Sequence, residues 1–213
     1  MKRLRVLLAD DHYVVAEGLR SLLSSQFDVV GIVSDGRELV SAAKALGPDV
    51  IVLDISMPTL NGIEAARQIH AANARVKLVF LTMHCDATYA VRALEAGASG
   101  FVLKHSATCE LVTAIRAALD GGTYVTPQIA GHLLGAMRHG TPARGEVLDA
   151  LTPRQREILQ LVAEGRSAKA IAAALRISRR TAEYHKARLM ETLGVQTTAG
   201  LVQYAIRKGV ISV

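Results

Sequence analysis

The sequence predicts an α/β domain with a doubly wound, five-stranded parallel sheet, followed by an all-α domain of four helices with a helix-turn-helix. Two observations lead to this prediction. Short apolar runs alternate with amphipathic stretches over residues 1–123, whereas residues 151–213 have helical periodicity throughout. Strands that are each followed by a helix imply right-handed crossovers, which build a parallel sheet with helices on both faces.

Five apolar runs are the predicted strands of the first domain, and they span residues 5–9, 29–33, 50–54, 77–82 and 100–103. The helices that follow them are expected at residues 13–25, 36–45, 62–71, 87–96 and 108–120. Gly or Pro stands at many of the junctions, as is typical of turns. The third run is unbroken and rich in β-branched residues, which indicates a strand buried on both faces.

The remaining residues are predicted to form a linker and a helical domain. Residues 124–147 are expected to be a linker with one helix at 127–138, because breakers are frequent in residues 139–145. The predicted domains are therefore residues 1–123 and 148–213. In the second domain, Thr152, Ser167 and Ser178 are suited to cap three helices, and a fourth helix is expected at about 197–208.

The third helix of the second domain follows a tight turn and is basic, which is typical of the recognition element of a helix-turn-helix. A plain four-helix bundle is the alternative. Residues 124–213 carry 13 Lys and Arg against 6 Asp and Glu, whereas residues 1–123 carry 12 against 13. This asymmetry favours a nucleic-acid-binding module joined to a neutral domain. A solvated basic surface would give the same composition.

Composition excludes several other classes. Aromatic residues make up only 4% of the chain and Trp is absent, which disfavours a stacking platform for carbohydrate or single-stranded nucleic acid. Cys85 and Cys109 lack the spacing of a zinc site or a disulfide framework, so reduced thiols are expected. The first apolar run meets Asp10 too early for a signal peptide, and no run has the roughly 18–20 apolar residues of a membrane span. A soluble, cytoplasmic protein is expected.

Polar residues follow the predicted strands at the sheet edge where open α/β sheets bind ligands. Asp10 and Asp11 follow the first strand, Asp54 and Thr82 end the third and fourth, and Lys104 follows the fifth. Crowded carboxylates repel one another unless a cation lies among them, and oxygen ligands suit Mg²⁺. Asp54 would then be a nucleophile toward a phosphoryl group, whose oxygens Lys104 and Thr82 would hold. Taken singly, these residues also suit a helix cap, a strand Thr and a surface Lys.

Residues 1–123 resemble the receiver domain of two-component response regulators, through LLADDH at 7–12, LDISMPTLNGIE at 53–64, LT at 81–82 and GASGFVLK at 97–104. The resemblance implies a phosphoryl donor that is a sensor histidine kinase or a small phosphodonor. It also implies a complete site: the phosphoacceptor Asp54, the Mg²⁺ ligands Asp10, Asp11, Asp54 and the backbone of Ser56, the phosphoryl contacts Thr82 and Lys104, and the switch residues Thr82 and Phe101.

Two polar residues would line the mouth of this site. His84 lies two residues beyond Thr82, and Ser56 lies two beyond Asp54. We hypothesise that they tune autodephosphorylation by admitting or positioning water. An exposed polar rim without such a role is the alternative.

The third helix of the second domain has two faces at about 100° per residue. Ala182, Leu189 and Leu193 fall within one narrow arc and should face the core. Base reading is expected from Glu183, Tyr184 and Ala187, since Glu accepts from cytosine N4 and Ala meets a thymine methyl. Phosphate contacts are expected from the basic residues Lys169, Arg179, Arg180, Lys186 and Arg188.

Residues 151–213 resemble the LuxR-type DNA-binding domain, through residues 151–159, 171–175, 177–185 and 193–195. With the receiver in front, the whole chain resembles the NarL/FixJ class of response regulators. The resemblance implies binding in the major groove of double-stranded DNA, as a homodimer when phosphorylated or DNA-bound. The dimer would form through the fourth helix, although Leu201, Val202 and Ala205 would equally suit its core side.

The prediction is therefore a transcriptional regulator controlled by phosphorylation of Asp54, not an enzyme. Two alternatives belong to other classes. One is a receiver-containing adaptor whose helical domain binds protein. The other is a Mg²⁺-dependent phosphohydrolase, which would need a second acid–base carboxylate and a substrate cap that the sequence does not suggest.

Overall fold

The computed structural model describes residues 3–138 and 151–211. Their contacts divide the chain into two compact units, which we describe separately. The first unit contains the elements before residue 139, and the second contains the helices after residue 150. The whole breaker-rich segment predicted at 139–145, and the rest of the predicted linker to residue 147, lie outside the described residues.

The first unit is built on a six-stranded parallel sheet in the order β2-β1-β3-β4-β5-β6. The predicted doubly wound α/β fold is confirmed, but the predicted strand number of five is wrong. The strands are β1 (Arg5–Ala9), β2 (Asp28–Val33), β3 (Val50–Leu53), β4 (Lys77–Thr82), β5 (Gly100–Leu103) and β6 (Tyr124–Val125). The helices are α1 (Tyr13–Leu23), α2 (Gly36–Leu46), α3 (Gly62–Ala72), α4 (Ala87–Glu95), α5 (Ala107–Leu119) and α6 (Pro127–Arg138).

Helices cover both faces of this sheet. On one face, Val52 and Leu81 share a buried cluster with Leu19 of α1 and Leu111 of α5. Successive strand residues point to opposite faces, so Leu7 belongs to the other face, where it adjoins Leu46 of α2 across Gly31. All four residues of β3 are buried, as an unbroken apolar strand requires. The central strands β3 and β5 are thus closed to water, whereas the edge strands β2 and β6 are only partly buried.

The sixth strand extends the unit past the predicted end of the first domain. Gly100 and Phe101 of β5 pair with Tyr124 and Val125, and α6 packs against α4. A two-residue strand has no alternation to recognise, which is why the sequence did not reveal it. The predicted domain boundaries at residues 123 and 148 remain predictions. However, β6 and α6 both follow residue 123 and pack against elements of the first unit.

A buried hydroxyl joins this extension to the rest of the unit. Thr126 Oγ1 donates to Glu110 Oε2 of α5 at 2.6 Å and accepts from the Leu103 amide at 3.2 Å. Leu103 is the last residue of β5 and immediately precedes Lys104. Thr126 is only 3% exposed, so the hydroxyl that makes both bonds is itself buried. Burial, followed by the nearby Glu110 carboxylate, raises the pKa of the Tyr124 phenol.

The second unit consists, in its described part, of α7 (Pro153–Ala163), α8 (Ala168–Leu175), α9 (Arg179–Leu193) and α10 (Thr198–Arg207). The predicted caps are confirmed at Thr152, Ser167 and Ser178, each of which accepts from the amide three residues on. Thr152 and Gln155 form a reciprocal capping box. Their bonds satisfy amides at the helix starts that no intrahelical carbonyl reaches.

The helices enclose a small apolar core and a tight turn. Ile158, Ile171, Leu189 and Leu201, one from each helix, are buried together. Between α8 and α9, Arg176 adopts a left-handed conformation with φ of 52°, which reverses the chain for the recognition helix. This arrangement is the predicted helix-turn-helix. Among the described residues, no helix is long and apolar enough to span a membrane.

Candidate functional site

The first candidate site surrounds Asp54, the residue after β3. β3 ends at Leu53, one residue earlier than predicted, and the Asp54 side chain lies among buried neighbours with 4% of the residue exposed. Its Oδ1 accepts from the Ile55 amide at 2.6 Å, and its Oδ2 accepts from Lys104 Nζ at 2.7 Å. One oxygen is thus fixed by backbone and the other by a cation, which gives the carboxylate a single orientation.

Lys104 bridges two carboxylates at this edge of the sheet. Its Nζ lies 2.7 Å from Asp54 Oδ2 and 2.7 Å from Asp10 Oδ2. Burial raises the pKa of Asp54, against the opposing attraction of Lys104. For Lys104, burial disfavours the charged form, but attraction by Asp54 and Asp10 outweighs it and raises the pKa of the ammonium. The arrangement therefore holds one positive charge between two negative ones.

The acidic residues form a cluster that fits a divalent cation. Ligand atoms of Asp10, Asp11, His12 and Asp54 all lie within 4.8 Å of one another. Asp10 and Asp54 are buried and Asp11 is exposed, so the cluster opens to solvent on one side. Carboxylate oxygens with access to water are the ligands that suit Mg²⁺. The donor set present therefore fits a hard divalent cation.

His12 is the member of this cluster that sequence reasoning missed. Its Nδ1 lies 3.1 Å from Asp10 Oδ1 and 2.9 Å from Asp11 Oδ1, and its amide donates to Asp10 Oδ1. The signal was present in the sequence, since His12 directly follows the two acids at the end of a strand. An imidazole among carboxylates can donate to them, and it is a softer ligand than they are.

Thr82 and His84 form the rim next to Asp54. Thr82 is fully buried at the end of β4, and its Oγ1 accepts from the His84 amide at 3.2 Å. The His84 ring stacks on Tyr89 at 4.2 Å, and its Nε2 lies 2.9 Å from Ser56 Oγ. Burial lowers the pKa of His84, which favours the neutral imidazole. The two predicted rim residues, Ser56 and His84, are therefore joined by a hydrogen bond.

Phe101, the predicted switch aromatic, lies in the core of the first unit. It is fully buried in β5, in register with Phe80 of β4, and the two ring centroids are 6.5 Å apart. Thr82 is two residues beyond Phe80 on the same strand and pairs with Leu103. Any motion of Phe101 must therefore repack a closed part of the core.

Gly62 is a further residue on which the geometry of Asp54 depends. It begins α3, and its amide donates to the Ile55 carbonyl at 2.9 Å. A Cβ at this position would lie 1.9 Å from the backbone oxygen of Asp54. Real Cβ atoms do not approach a backbone oxygen so closely, so only Gly leaves the chain carrying Asp54 in place.

The second candidate site is the exposed face of α9. Ala182 and Leu189 are buried, as the helical periodicity predicts, and Leu193 is half-buried. The predicted base readers Glu183, Tyr184 and Ala187 are all exposed, with Tyr184 61% exposed. Exposed side chains also include the predicted phosphate contacts Arg179, Arg180 and Arg188. These residues, which we call the α9 face, share one surface.

Several members of the α9 face have partners within the unit. Arg179 Nε donates to Glu183 Oε1 at 2.8 Å, and Arg188 Nη1 donates to Glu191 Oε2 at 2.8 Å. Lys186 is half-buried and donates from Nζ to Thr198 Oγ1 at the start of α10. Lys169 is exposed on α8. The predicted phosphate contacts therefore differ in how they are restrained. Arg179, Arg188 and Lys186 have partners within the unit, whereas no described ion pair restrains Arg180 or Lys169.

The fourth helix of the unit contributes mainly to its core. Leu201 and Ala205 are fully buried, and Tyr204 is 8% exposed. Val202 is half-buried, and Ile206 is 40% exposed. Of the residues considered for a dimer contact, Leu201 and Ala205 therefore serve the core of the unit.

Comparison with protein families matches both units. Residues 6–116 match the response regulator receiver domain, and residues 149–205 match the LuxR family of bacterial regulatory proteins. The transcriptional regulatory protein LiaR of Bacillus subtilis is 38% identical over 212 residues, covering 98% of this chain and all of LiaR. MctR of Rhizobium johnstonii, also a transcriptional regulatory protein, is 36% identical over 99% of this chain and 96% of its own length.

Solved structures show the same combination of units. The RcsB response regulator of Salmonella typhimurium is similar with a TM-score of 0.60 and 27% identity, covering 96% of this chain and 98% of that one. An RcsB–DNA complex is similar with a TM-score of 0.59 and 27% identity, over 95% and 98% of the two chains.

Proposed function

The chain belongs to the response regulators that join a receiver domain to a LuxR-type regulatory domain, and we propose that phosphorylation of Asp54 controls its binding to DNA. Members of this family are DNA-binding regulators of two-component systems rather than conventional enzymes. The observation that carries the proposal is the position of Asp54, buried and fixed between the Ile55 amide and the Lys104 ammonium.

The nucleophile of the proposed reaction is a carboxylate oxygen of Asp54. It attacks the phosphorus of a phosphohistidine or a small phosphodonor, forming an acyl phosphate while the bond to the donor's leaving group breaks. Lys104 lies on the correct side to pair with a phosphoryl oxygen, since its Nζ already contacts Asp54 Oδ2. Thr82, next along the edge, would donate its hydroxyl to another phosphoryl oxygen. A sensor histidine kinase is the proposed physiological donor.

Asp10, Asp11 and Asp54, with the backbone of Ser56, would hold Mg²⁺. When bound, the ion supplies positive charge that offsets repulsion between these carboxylates and the phosphoryl oxygens. The chain's own contribution is the placement of the acids, since β1 and β3 are adjacent and parallel and deliver both buried acids to one edge. His12 contacts Asp10 and Asp11 and would restrain their orientation.

The proposed response to phosphorylation begins at the Thr82 hydroxyl. In the structure Thr82 Oγ1 accepts from the His84 amide, which leaves its proton for donation to another group, and donation to a phosphoryl oxygen on Asp54 would draw Thr82 toward that residue. Movement of Thr82 would open space in which Phe101 can repack against Phe80. Phosphorylation adds nearly two negative charges and must bias an element with two arrangements to act at a distance. Thr82 and Phe101 are the proposed element.

The proposed output is binding of the α9 face in the major groove of double-stranded DNA. Support comes from the basic composition of residues 124–213, the helix-turn-helix and the similarity to RcsB, which was solved bound to DNA. RcsB dimers have also been solved on DNA. We therefore propose a homodimer whose two α9 helices enter successive major grooves. Acting on DNA, the protein would work in the cytoplasm.

Intact-mass measurement with a small phosphodonor tests the phosphoacceptor. Wild type and Asp28→Asn, an exposed acid at the start of β2, should each gain one phosphoryl group in the presence of Mg²⁺. Asp54→Asn should gain none. Phosphorylation of Asp54→Asn to the wild-type extent would reject Asp54 as the acceptor.

The salt dependence of binding to duplex DNA tests the output. Affinity should fall steeply and log-linearly with salt, because lysines and arginines release counterions from phosphates. An adaptor that binds protein would show weak binding to DNA with a shallow slope.

A further inference from the structure

An ion pair lies at the start of the helix that we propose to enter DNA. Arg179 is the first residue of α9, and its Nε donates to Glu183 Oε1 at 2.8 Å, one turn along. The side chains are 73% and 51% exposed, so the pair faces solvent rather than the core. Ser178 fixes the helix start beneath it by accepting from the Thr181 amide at 3.0 Å. The pair therefore lies on an exposed, well-capped turn.

The pair presents a donor beside an acceptor. Donation from Nε uses one of the five N–H groups of the Arg179 guanidinium, and the two Nη groups still present a planar pair of donors at the end of the side chain. Glu183 keeps lone pairs on both carboxylate oxygens for other donors. A G·C base pair presents the complementary groups in the major groove. The amino group at cytosine N4 is a donor, and it lies beside the acceptors O6 and N7 of guanine.

We propose that Arg179 and Glu183 act together as one specificity element that reads a single G·C base pair. Glu183 accepts from cytosine N4, and Arg179 donates from its Nη groups to O6 and N7 of the paired guanine. The assignment rests on the proposed DNA binding by α9, and it moves Arg179 from the phosphate contacts to the base readers. Glu183 holds Arg179 in position, so neither residue alone would give the full preference.

The position along α9 favours this pair over the other ion pair of the helix. Residues at the start of a recognition helix contact base edges, whereas residues farther along approach the backbone. Arg188 and Glu191 form an exposed pair at 2.8 Å, but Arg188 lies nine residues after Arg179, or about 13 Å along the helix. Glu191→Gln is therefore a matched control, since it weakens an equivalent exposed pair away from the proposed reading position.

Selection from a randomised pool of duplex DNA tests the proposal with the full-length chain. Wild type should enrich a site with a cytosine, paired to guanine, at one position of each half-site. Glu183→Gln should lose that preference at this position alone, because Gln favours adenine N6 and N7. The ratio of affinities for cytosine over adenine should fall by about fivefold or more, while Glu191→Gln keeps the wild-type ratio.

Arg179→Ala separates base reading from phosphate neutralisation. If Arg179 reads a base, Arg179→Ala should weaken the sequence preference at the same position that Glu183→Gln alters. A phosphate contact that is removed weakens binding to every sequence alike and lowers the salt slope by about one.

Three results would overturn the proposal. Uniform weakening by Arg179→Ala would return this residue to the phosphate contacts. A Glu183→Gln site identical to that of wild type would show that Glu183 reads no base. No enriched sequence with wild type would reject sequence-specific DNA binding and the specificity element with it, whereas the other two results leave sequence-specific binding intact.

Discussion

Lys104 Nζ lies 2.7 Å from Asp54 Oδ2, where β3 and β5 deliver a carboxylate and an ammonium to the same edge of the sheet. The contact orients Asp54 and keeps a positive charge where a phosphoryl group would gain negative charge. It does not fully offset burial, because the pKa of Asp54 remains above its ordinary value. Burial of the ionised Asp54 side chain therefore lowers the free energy of unfolding.

The raised pKa of Asp54 predicts that Asp54→Asn stabilises the protein at neutral pH. The folded pKa lies above the ordinary value of 3.8, so the folded chain binds more protons than the unfolded chain between these two pKa values. The free energy of unfolding of wild type therefore falls as pH rises through this window. The Asn side chain stays neutral, so the free energy of unfolding of Asp54→Asn does not fall in this way.

Urea unfolding of both proteins without metal, at about pH 7 and about pH 4, measures the effect. The stability advantage of Asp54→Asn over wild type should be larger at the higher pH. Asp28→Asn, at an exposed acid, should show no comparable gain. A lower stability of Asp54→Asn at neutral pH would show that the Lys104 contact outweighs desolvation.

Gly62→Ala is predicted to destabilise the site, because its Cβ would lie 1.9 Å from the Asp54 carbonyl oxygen. The chain must move to relieve this overlap, at a cost of about 1–3 kcal/mol or more. Phosphorylation by a small phosphodonor should slow with it. Gly18→Ala in α1 is the control, since a Cβ there meets nothing within 4 Å and Ala favours the helix by about 1 kcal/mol. Equal stability changes for the two variants would contradict the prediction.

His84→Ala is predicted to lengthen the life of the phosphoryl group on Asp54 by several-fold. The His84 ring is held by Ser56 and Tyr89 at the rim, where it can position a water molecule for attack on phosphorus. Decay of the phosphorylated protein, followed by intact mass, measures the lifetime. The exposed His132 on α6 offers a matched control, and His132→Ala should decay like wild type. Unchanged decay of His84→Ala would remove His84 from the reaction.

Thr126→Val is predicted to destabilise the first unit by about 1–3 kcal/mol, because it leaves Glu110 and the Leu103 amide without the hydroxyl between them. Thr126→Ser keeps the hydroxyl and should lose much less. The urea midpoint of each variant gives the comparison. Val at this position with wild-type stability would show that water replaces both bonds.

Much of the first site could be predicted because a parallel sheet sends every strand's carboxyl end to one edge. Asp10, Asp54 and Lys104 are far apart in sequence, yet strand order alone places them together. The Ser56–His84 bond depends on side-chain rotamers and on the loop after β4, which periodicity does not describe. His12 directly follows Asp10 and Asp11 in the sequence, so its place in the cluster was predictable from the same strand order.

For the second site, the sequence predicts which side chains of α9 are exposed, but it does not predict which of them pair with one another. Helical periodicity separates the buried Ala182 and Leu189 from the exposed Glu183. The i, i+4 spacing of Arg179 and Glu183 would have suggested an ion pair, but it does not show whether each side chain turns to its neighbour or to solvent. The left-handed Arg176 was equally hidden, because a non-Gly residue rarely adopts that conformation.

The affinity for a selected duplex DNA site, measured with and without a small phosphodonor, tests the central claim most directly. Wild type should bind more tightly after phosphorylation, by about fivefold or more, the lower end of typical coupling between sites. Asp54→Asn should bind with one unchanged affinity under both conditions. Equal affinity of wild type with and without the phosphoryl group, verified by intact mass in the same sample, would contradict control of DNA binding by Asp54.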